Sequence, residues 1–238
     1  MSLRRAYQSA VVEAATQHHE PAAALPLILV QACLSVLPVA GAGISITAEL
    51  RLPLAATSVA VAEAERLQTT LGEGPCLDAV TSGRPVAVAL EAMADRWPVY
   101  AAELLAATPF RSVASLPLEL DGTRLGAVDL YSLDPDAPFG DLTEVIDAVI
   151  DPMGAVLVGE AEWVPQLLQG FGEPTQAAAR RLDVWTAVGM VVHSLALTAD
   201  DALAVLRGYA FSRTLSLETV AERLIERRLE PEALADAS

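Results

Sequence analysis

Leu71-Gly72-Glu73-Gly74-Pro75-Cys76-Leu77-Asp78-Ala79 sets two glycines and a proline just ahead of a cysteine. Gly72 and Gly74 permit backbone angles closed to other residues, and Pro75 suits the first position of a helix. The stretch therefore reads as a tight bend that runs straight into a helix start, a shape that often lines a pocket. Cys76 then sits in the first turn of that helix. A cysteine so placed either acts as a nucleophile or redox sensor with a depressed pKa, or is a small buried residue holding the helix to its neighbours. No histidine lies near it in sequence to serve as a base.

Upstream of the bend, residues 3–19 carry Leu3, Ala6, Tyr7, Ala10, Val11, Ala14 and Ala15 at helical spacing, and Pro21 interrupts them. A second helix is expected over about 22–37, ended by Pro38 and Gly41. Residues 42–48 alternate and are rich in small and branched side chains, a strand signal, and a weaker strand falls near 51–60. Residues 59–70 read as a helix leading into the bend. Downstream come a short strand at Arg84–Val88 and a helix from Trp97 to Ala107, stopped by Pro109. Ser112–Leu120 and Arg124–Leu133 flank Asp121-Gly122, a favoured hairpin turn. Asp129 interrupts the second of these strands and faces either a pocket or solvent. A closing helix is expected over Asp141–Gly159, kinked at Pro152. The fold class is therefore α+β, an antiparallel sheet flanked by helices.

Residues 161–175 contain Pro165, Gly170, Gly172 and Pro174 and read as a linker between a first domain, 1–160, and a second, 176–238. The second reads as all-α with three helices. The first spans about 176–196. Thr198 with Asp201 marks a capping box for the second, about 199–212. Ser216, with Glu218 in the first turn, caps the third, and Pro231 is expected to end the ordered part. The helix from Arg181 to Ala196 is apolar on two stripes, Leu182-Trp185-Gly189-Val192 and Val184-Val188-Val191-Leu195. One stripe would meet the other helices of this domain, and the other a second copy in a homodimer.

Composition narrows the function. The chain has 238 residues, is 53% hydrophobic and has a net charge of -16. It holds no lysine. Residues 1–175 carry 8 Arg against 22 Asp and Glu, while 176–238 carry 7 Arg against 9, so the tail is nearly neutral and the front strongly acidic. No apolar run reaches the ~18 residues of a membrane span, and the N-terminus does not read as a signal peptide, so a cytoplasmic protein is expected. Cys33 and Cys76 form neither a disulfide framework nor a zinc pattern. Neither a metal nor a cofactor is called for.

Several segments together resemble the GAF half of actinobacterial GAF-ANTAR regulators. They are Leu71–Ala79, Gly83–Val86, Arg96-Trp97-Pro98, Arg111-Ser112-Val113, Leu116-Pro117-Leu118 and Leu125–Tyr131, in the family's order and spacing within about residues 25–160. The resemblance implies a sensor domain for an unidentified small-molecule signal, and Cys76, Trp97 and Asp129 are its candidate ligand contacts. By residue type Trp97 reads as a core anchor ahead of a ligand stacker. The tail, about 177–232, resembles the ANTAR half in Ala187–Met190, Ala202–Ala210 and Leu217–Ala221. ANTAR domains are three-helix modules that bind paired hairpins in nascent transcripts and prevent termination. By the resemblance, Ala187, Gly189, Ala202, Ala210 and Ala221 let helices approach closely, and Arg207 matches the family's arginine. Val188 stands where members often carry lysine or threonine. Arg180, Arg181, Arg207 and Arg213 are the candidate RNA contacts, with Arg227 and Arg228 behind them. Tyr209 and Phe211 could stack on bases, though core packing suits both.

The expected function is a signal-responsive RNA-binding regulator of transcription antitermination rather than an enzyme. Two alternatives come from other classes. One is a helix-turn-helix DNA binder built from the last two helices, which Glu218, Glu222 and Glu226 along one helix face oppose. The other is a GAF-type thiol enzyme, similar to methionine sulfoxide reductases, with Cys76 as nucleophile and Cys33 as resolving thiol.

Overall fold

Alternation in Gly41–Thr47 and the Asp121-Gly122 turn set up the sheet around which the first part of the chain is built. In a computed structural model, which describes every residue except 20, 22, 23, 48–50, 121, 137, 138, 160–175 and 238, five antiparallel strands are ordered β2-β1-β5-β4-β3. For residues 47, 52, 120, 158, 176–182 and 235–237 only the backbone is described. The strands are β1 (Gly41–Thr47), β2 (Arg51–Ala56), β3 (Val86–Ala89), β4 (Ser112–Leu120) and β5 (Thr123–Ser132). The hairpin pairs Leu120 with Thr123, and Gly122 has φ +77, as its turn requires. The expected linker, 161–175, lies outside the described residues. The chain divides into two compact units, the first made of Met1–Gln68 and Glu73–Gln169, the second holding Gly170–Ser238.

One face of the sheet is apolar. Ala42 and Ile44 of β1, Ala114, Leu116 and Leu118 of β4, and Val128 and Leu130 of β5 form a single core with α1 (Leu3–Ala15), α2 (Leu25–Val36) and the C-terminal helical segment of the unit. That segment differs from the kinked helix expected. It runs as α7 (Leu142–Val145), a π-helical turn Ile146–Ile150, and α8 (Asp151–Gly159). The amide of Asp151 reaches back five residues to the Ile146 carbonyl. Pro152 has no N–H and its ring crowds the carbonyl four residues earlier, so one wider turn just ahead of it replaces a sharp bend.

The opposite face is covered by α3 (Val59–Leu71) and α4 (Pro75–Ser82), with α5 (Leu90–Arg96) and α6 (Pro98–Ala107) following β3. Helix α5 had no expectation in the sequence. Trp97 is the N-cap of α6, with Pro98 as the first helical residue, rather than a helical residue itself.

In the second unit, α9 (Gln176–Leu195), α10 (Ala199–Ser212) and α11 (Leu217–Ile225) pack together with a 3-10 turn, Pro231–Ala237. Pro231 therefore begins a turn, whose Leu234 is buried, instead of ending the ordered chain. Both expected caps are formed. Thr198 Oγ1 accepts from the Asp201 amide at 3.1 Å, and Ser216 Oγ from the Thr219 amide at 3.1 Å. Val184, Ala187, Val188 and Val191 of α9 are buried with Leu203, Leu206, Val220 and Leu224. Of the small residues expected at close helix contacts, Ala187, Ala202, Ala210 and Ala221 are buried. Gly189 is not one of them: it is exposed, and among the described residues a Cβ there would meet nothing within 4 Å.

Candidate functional site

The sheet face under α3 and α4 holds a sealed polar cluster. Side chains alternate along β5, so Val128 and Leu130 enter the apolar core while Asp129 and Tyr131 point the other way. Asp129 is fully buried, so it does not face solvent. Helix α3 runs over β1 in step with it. Four helical residues rise about 6 Å, close to the length of two strand residues, and Val61 lies over Gly41 while Glu65 lies over Gly43. A Cβ on Gly43 would stand 2.7 Å from the Glu65 carboxyl carbon, so glycine there is what lets the carboxyl reach the sheet.

Arg51, from edge strand β2, is the hub. Its Nε donates to Cys76 Sγ at 2.9 Å, Nη1 donates to the Glu65 carbonyl at 2.9 Å, and Nη2 donates to Asp129 Oδ2 at 2.7 Å and to Glu65 Oε2. Tyr131 donates its hydroxyl proton to Glu65 Oε1 at 2.7 Å. Gln68, one turn along α3, donates from Nε2 to Asp129 Oδ2 at 3.0 Å and accepts from the Cys76 amide at 2.8 Å. That last bond explains the glycine bend. Gly74 has φ +133, and a Cβ on it would lie 2.6 Å from Gln68 Oε1, so only glycine lets Gln68 satisfy the open start of α4. Ser45 Oγ lies 3.7 Å from Cys76 Sγ.

The electrostatics follow from sealing these groups from water. Burial is the main cause that raises the Glu65 carboxyl, to about 8; Arg51 opposes the shift and Asp129 adds to it. Burial likewise pushes the Cys76 thiol well up, against the pull of Arg51, and lifts Cys33 to about 12. Both thiols are thus held protonated, away from the thiolate that a nucleophile needs.

The structure brings two of the three expected ligand contacts, Cys76 and Asp129, onto one guanidinium. Trp97 is not among these hydrogen-bonded residues. It is buried one turn before Tyr100 on α6, with the Arg96 guanidinium 4.2 Å over its ring. The sequence reading passed over Arg51, Glu65, Gln68, Tyr100 and Tyr131. Among the described residues, no group of His, Cys, Asp and Glu could hold a metal ion.

Of the candidate RNA contacts, Arg180 and Arg181 lie on α9 with side chains outside the described residues. Arg207 is half-buried on α10. Arg213 is exposed at its end, its guanidinium 5.2 Å from the Tyr209 ring centre. Arg227 and Arg228 are exposed, and Arg228 pairs with Glu226. Tyr209 packs into the core as expected, whereas Phe211 is 49% exposed, contrary to the expectation of core packing. Among the described residues, no single helix is long and apolar enough to cross a membrane.

Compared with family models, residues 20–147 match the GAF domain, more than half of the chain. Among solved structures the chain is similar to a domain described as part of a two-component sensor histidine kinase protein from Sinorhizobium meliloti 1021. The identity is 15% and the TM-score 0.47, over 60% of this chain and 94% of that one. No curated protein matches the chain.

Proposed function

Because this chain belongs to the GAF domain family, we propose that its first unit is the sensor, and its second an ANTAR-like output, of an RNA-binding regulator of transcription antitermination. The segments that resemble ANTAR fall one on each of α9, α10 and α11, and Ala187, Ala202, Ala210 and Ala221 within them are buried. The observation that carries RNA binding furthest is the end of α10. Phe211 and Arg213 are both exposed there, and an aromatic face and a cation are the groups on which unstacked loop bases settle. A second copy would complete the surface. On α9, Trp185 and Val192 are half-buried and Gly189 is exposed, so this stripe is left partly open. Pairing through it would double the arginines presented to two hairpins, which a tail of near-neutral charge requires.

The test is binding of the full chain to a tandem-hairpin RNA across a salt series, with mass measurement in solution for the dimer. Arg213→Ala and Arg207→Ala should each weaken binding and reduce the salt slope by about 1. Phe211→Ala should cost about 1–3 kcal/mol. No binding at low salt would sink the reading, and equal competition by duplex DNA would replace it with the DNA-binding alternative.

A further inference from the structure

The buried cluster is short of positive charge. Arg51 brings one, Glu65 and Asp129 could bring two negatives, and their side chains are 2%, 1% and 0% exposed. The titratable groups facing Glu65 are Arg51 from β2, Asp129 and Tyr131 from β5, Cys76 from α4 and Tyr100 from α6. Burial raises both tyrosines and the thiol, so they stay neutral and supply no cation. Among the described residues, Arg51 is the cation that faces the pair. One orphan acceptor marks where the balance is made up. Among the described residues, buried Asp129 Oδ1 accepts no hydrogen bond from a nitrogen or hydroxyl, and the buried Oγ of its cross-strand neighbour Ser115 has no partner.

A carboxylate with surplus charge in such a place takes up a proton rather than stay ionised. We propose that the signal read by this site is the proton itself: Glu65 holds one beside Asp129, and its release leaves a second negative charge sealed between α3 and the sheet. This deepens, and rests on, the sensor reading of the first unit. The step is a simple protonation, in which a carboxylate oxygen takes H+ from water to become a carboxylic acid and returns it at higher pH. The acid O–H supplies the donor that Asp129 lacks. Release lands where α3 is held, because Glu65 is the side chain that ties that helix to both β2 and β5.

The experiment is infrared difference spectroscopy of the full chain from about pH 6 to about pH 9.5, a span centred near the raised carboxyl. Amide hydrogen exchange of α3, corrected for its intrinsic pH dependence, is followed alongside. A buried carboxylic-acid C=O band should be present at the acid end, vanish at the alkaline end and be absent in Glu65→Gln. It should also be absent in Asp129→Asn, where Glu65 faces Arg51 one to one and ionises. Exchange of α3 should rise as the band disappears. A wild-type spectrum with no such band, a band indifferent to both substitutions, or α3 protection unchanged on release would each overturn the proposal. So would loss of the band at about pH 6 on adding ammonium or guanidinium salt at constant ionic strength, which would make the site one for an organic cation. Stabilisation by an organic ligand without any such band would keep the sensor reading while removing the proton from it.

Discussion

Arg51 Nη2 meets Asp129 Oδ2 at 2.7 Å although their strands are not neighbours: β2 and β5 lie on either side of β1, and the guanidinium reaches across it. The contact ties an edge strand to the middle of the sheet and, through Glu65, to α3. Arg51→Met keeps the side chain's bulk and removes the charge, leaving two carboxyl groups with no cation. Breaking one partner of a buried pair costs about 3–5 kcal/mol. Urea unfolding should show a loss of that order. A loss below about 1 kcal/mol would match an exposed pair and contradict the sealed cluster.

The raised Glu65 carboxyl gives stability a definite pH direction. Its folded value is about 8 against an ordinary 4.5, so between those values the folded state binds more protons than the unfolded one. The contribution is fully present below the unfolded value and is lost as pH rises through the folded one, with a slope of up to about 1.4 kcal/mol per pH unit. The urea midpoint of the first unit should fall from mildly acid to mildly alkaline pH. Glu65→Gln, which cannot ionise, should flatten the fall. A wild-type midpoint that climbs over the same range would reverse the sign.

Gly43 is the place where α3 comes down on the sheet. Gly43→Ala puts a methyl 2.7 Å from the Glu65 carboxyl carbon, and the carboxyl cannot retreat without giving up Tyr131 or Arg51. Overpacking of this kind costs about 1–3 kcal/mol. Gly159→Ala is the matched control. Among the described residues a Cβ there meets nothing within 4 Å, at the end of α8, so a neutral or slightly stabilising change is expected. Thermal melts of the two variants should separate by several degrees, and equal melting temperatures would mean α3 does not bear on Gly43.

The hairpin, the bend at Gly74 and the caps at Thr198 and Ser216 were legible because each is a local rule: the residues that make it lie within a few positions of one another. Half of the polar cluster was legible for a related reason, since Asp129 breaks the pattern of its own strand. Arg51 and Glu65 were not. Their partners are 78 and 66 residues away, at Asp129 and Tyr131, and a charge on an amphipathic helix reads as solvated unless the sheet beneath it is known. The turn ahead of Pro152 failed differently. Proline announces that a helix must yield, but whether it bends or widens depends on the core that Val149 and Ile150 fill.

The two thiols test the burial of both sheet faces at once. Cys33 sits in the apolar core and Cys76 under Arg51, both fully buried and both raised. A chromogenic disulfide reagent at mildly alkaline pH should find no reactive thiol in the native chain, and two after denaturation. Rapid native reaction confined to Cys76 would restore the thiol-enzyme alternative, because it would require an accessible thiolate that this hydrogen-bonded site does not offer.

Capping carries the second unit more heavily than its size suggests. α11 runs only from Leu217 to Ile225, short enough that propensity alone would not hold it. Its first turn depends on Ser216, and that of α10 on Thr198, whose hydroxyl also donates to Asp201 Oδ2 at 2.7 Å. Thr198→Ala and Ser216→Ala should each cost about 1 kcal/mol. They act on different helices, so the double variant should lose close to the sum. The readout is amide exchange in α10 and α11, with the first unit's exchange as an internal reference. A uniform change in both units would show that the caps do not act where the hydrogen bonds place them. If the tail binds RNA through the end of α10, the Thr198 variant, whose defect lies at the opposite end of that helix, should keep its salt slope while losing affinity only in proportion to lost helix.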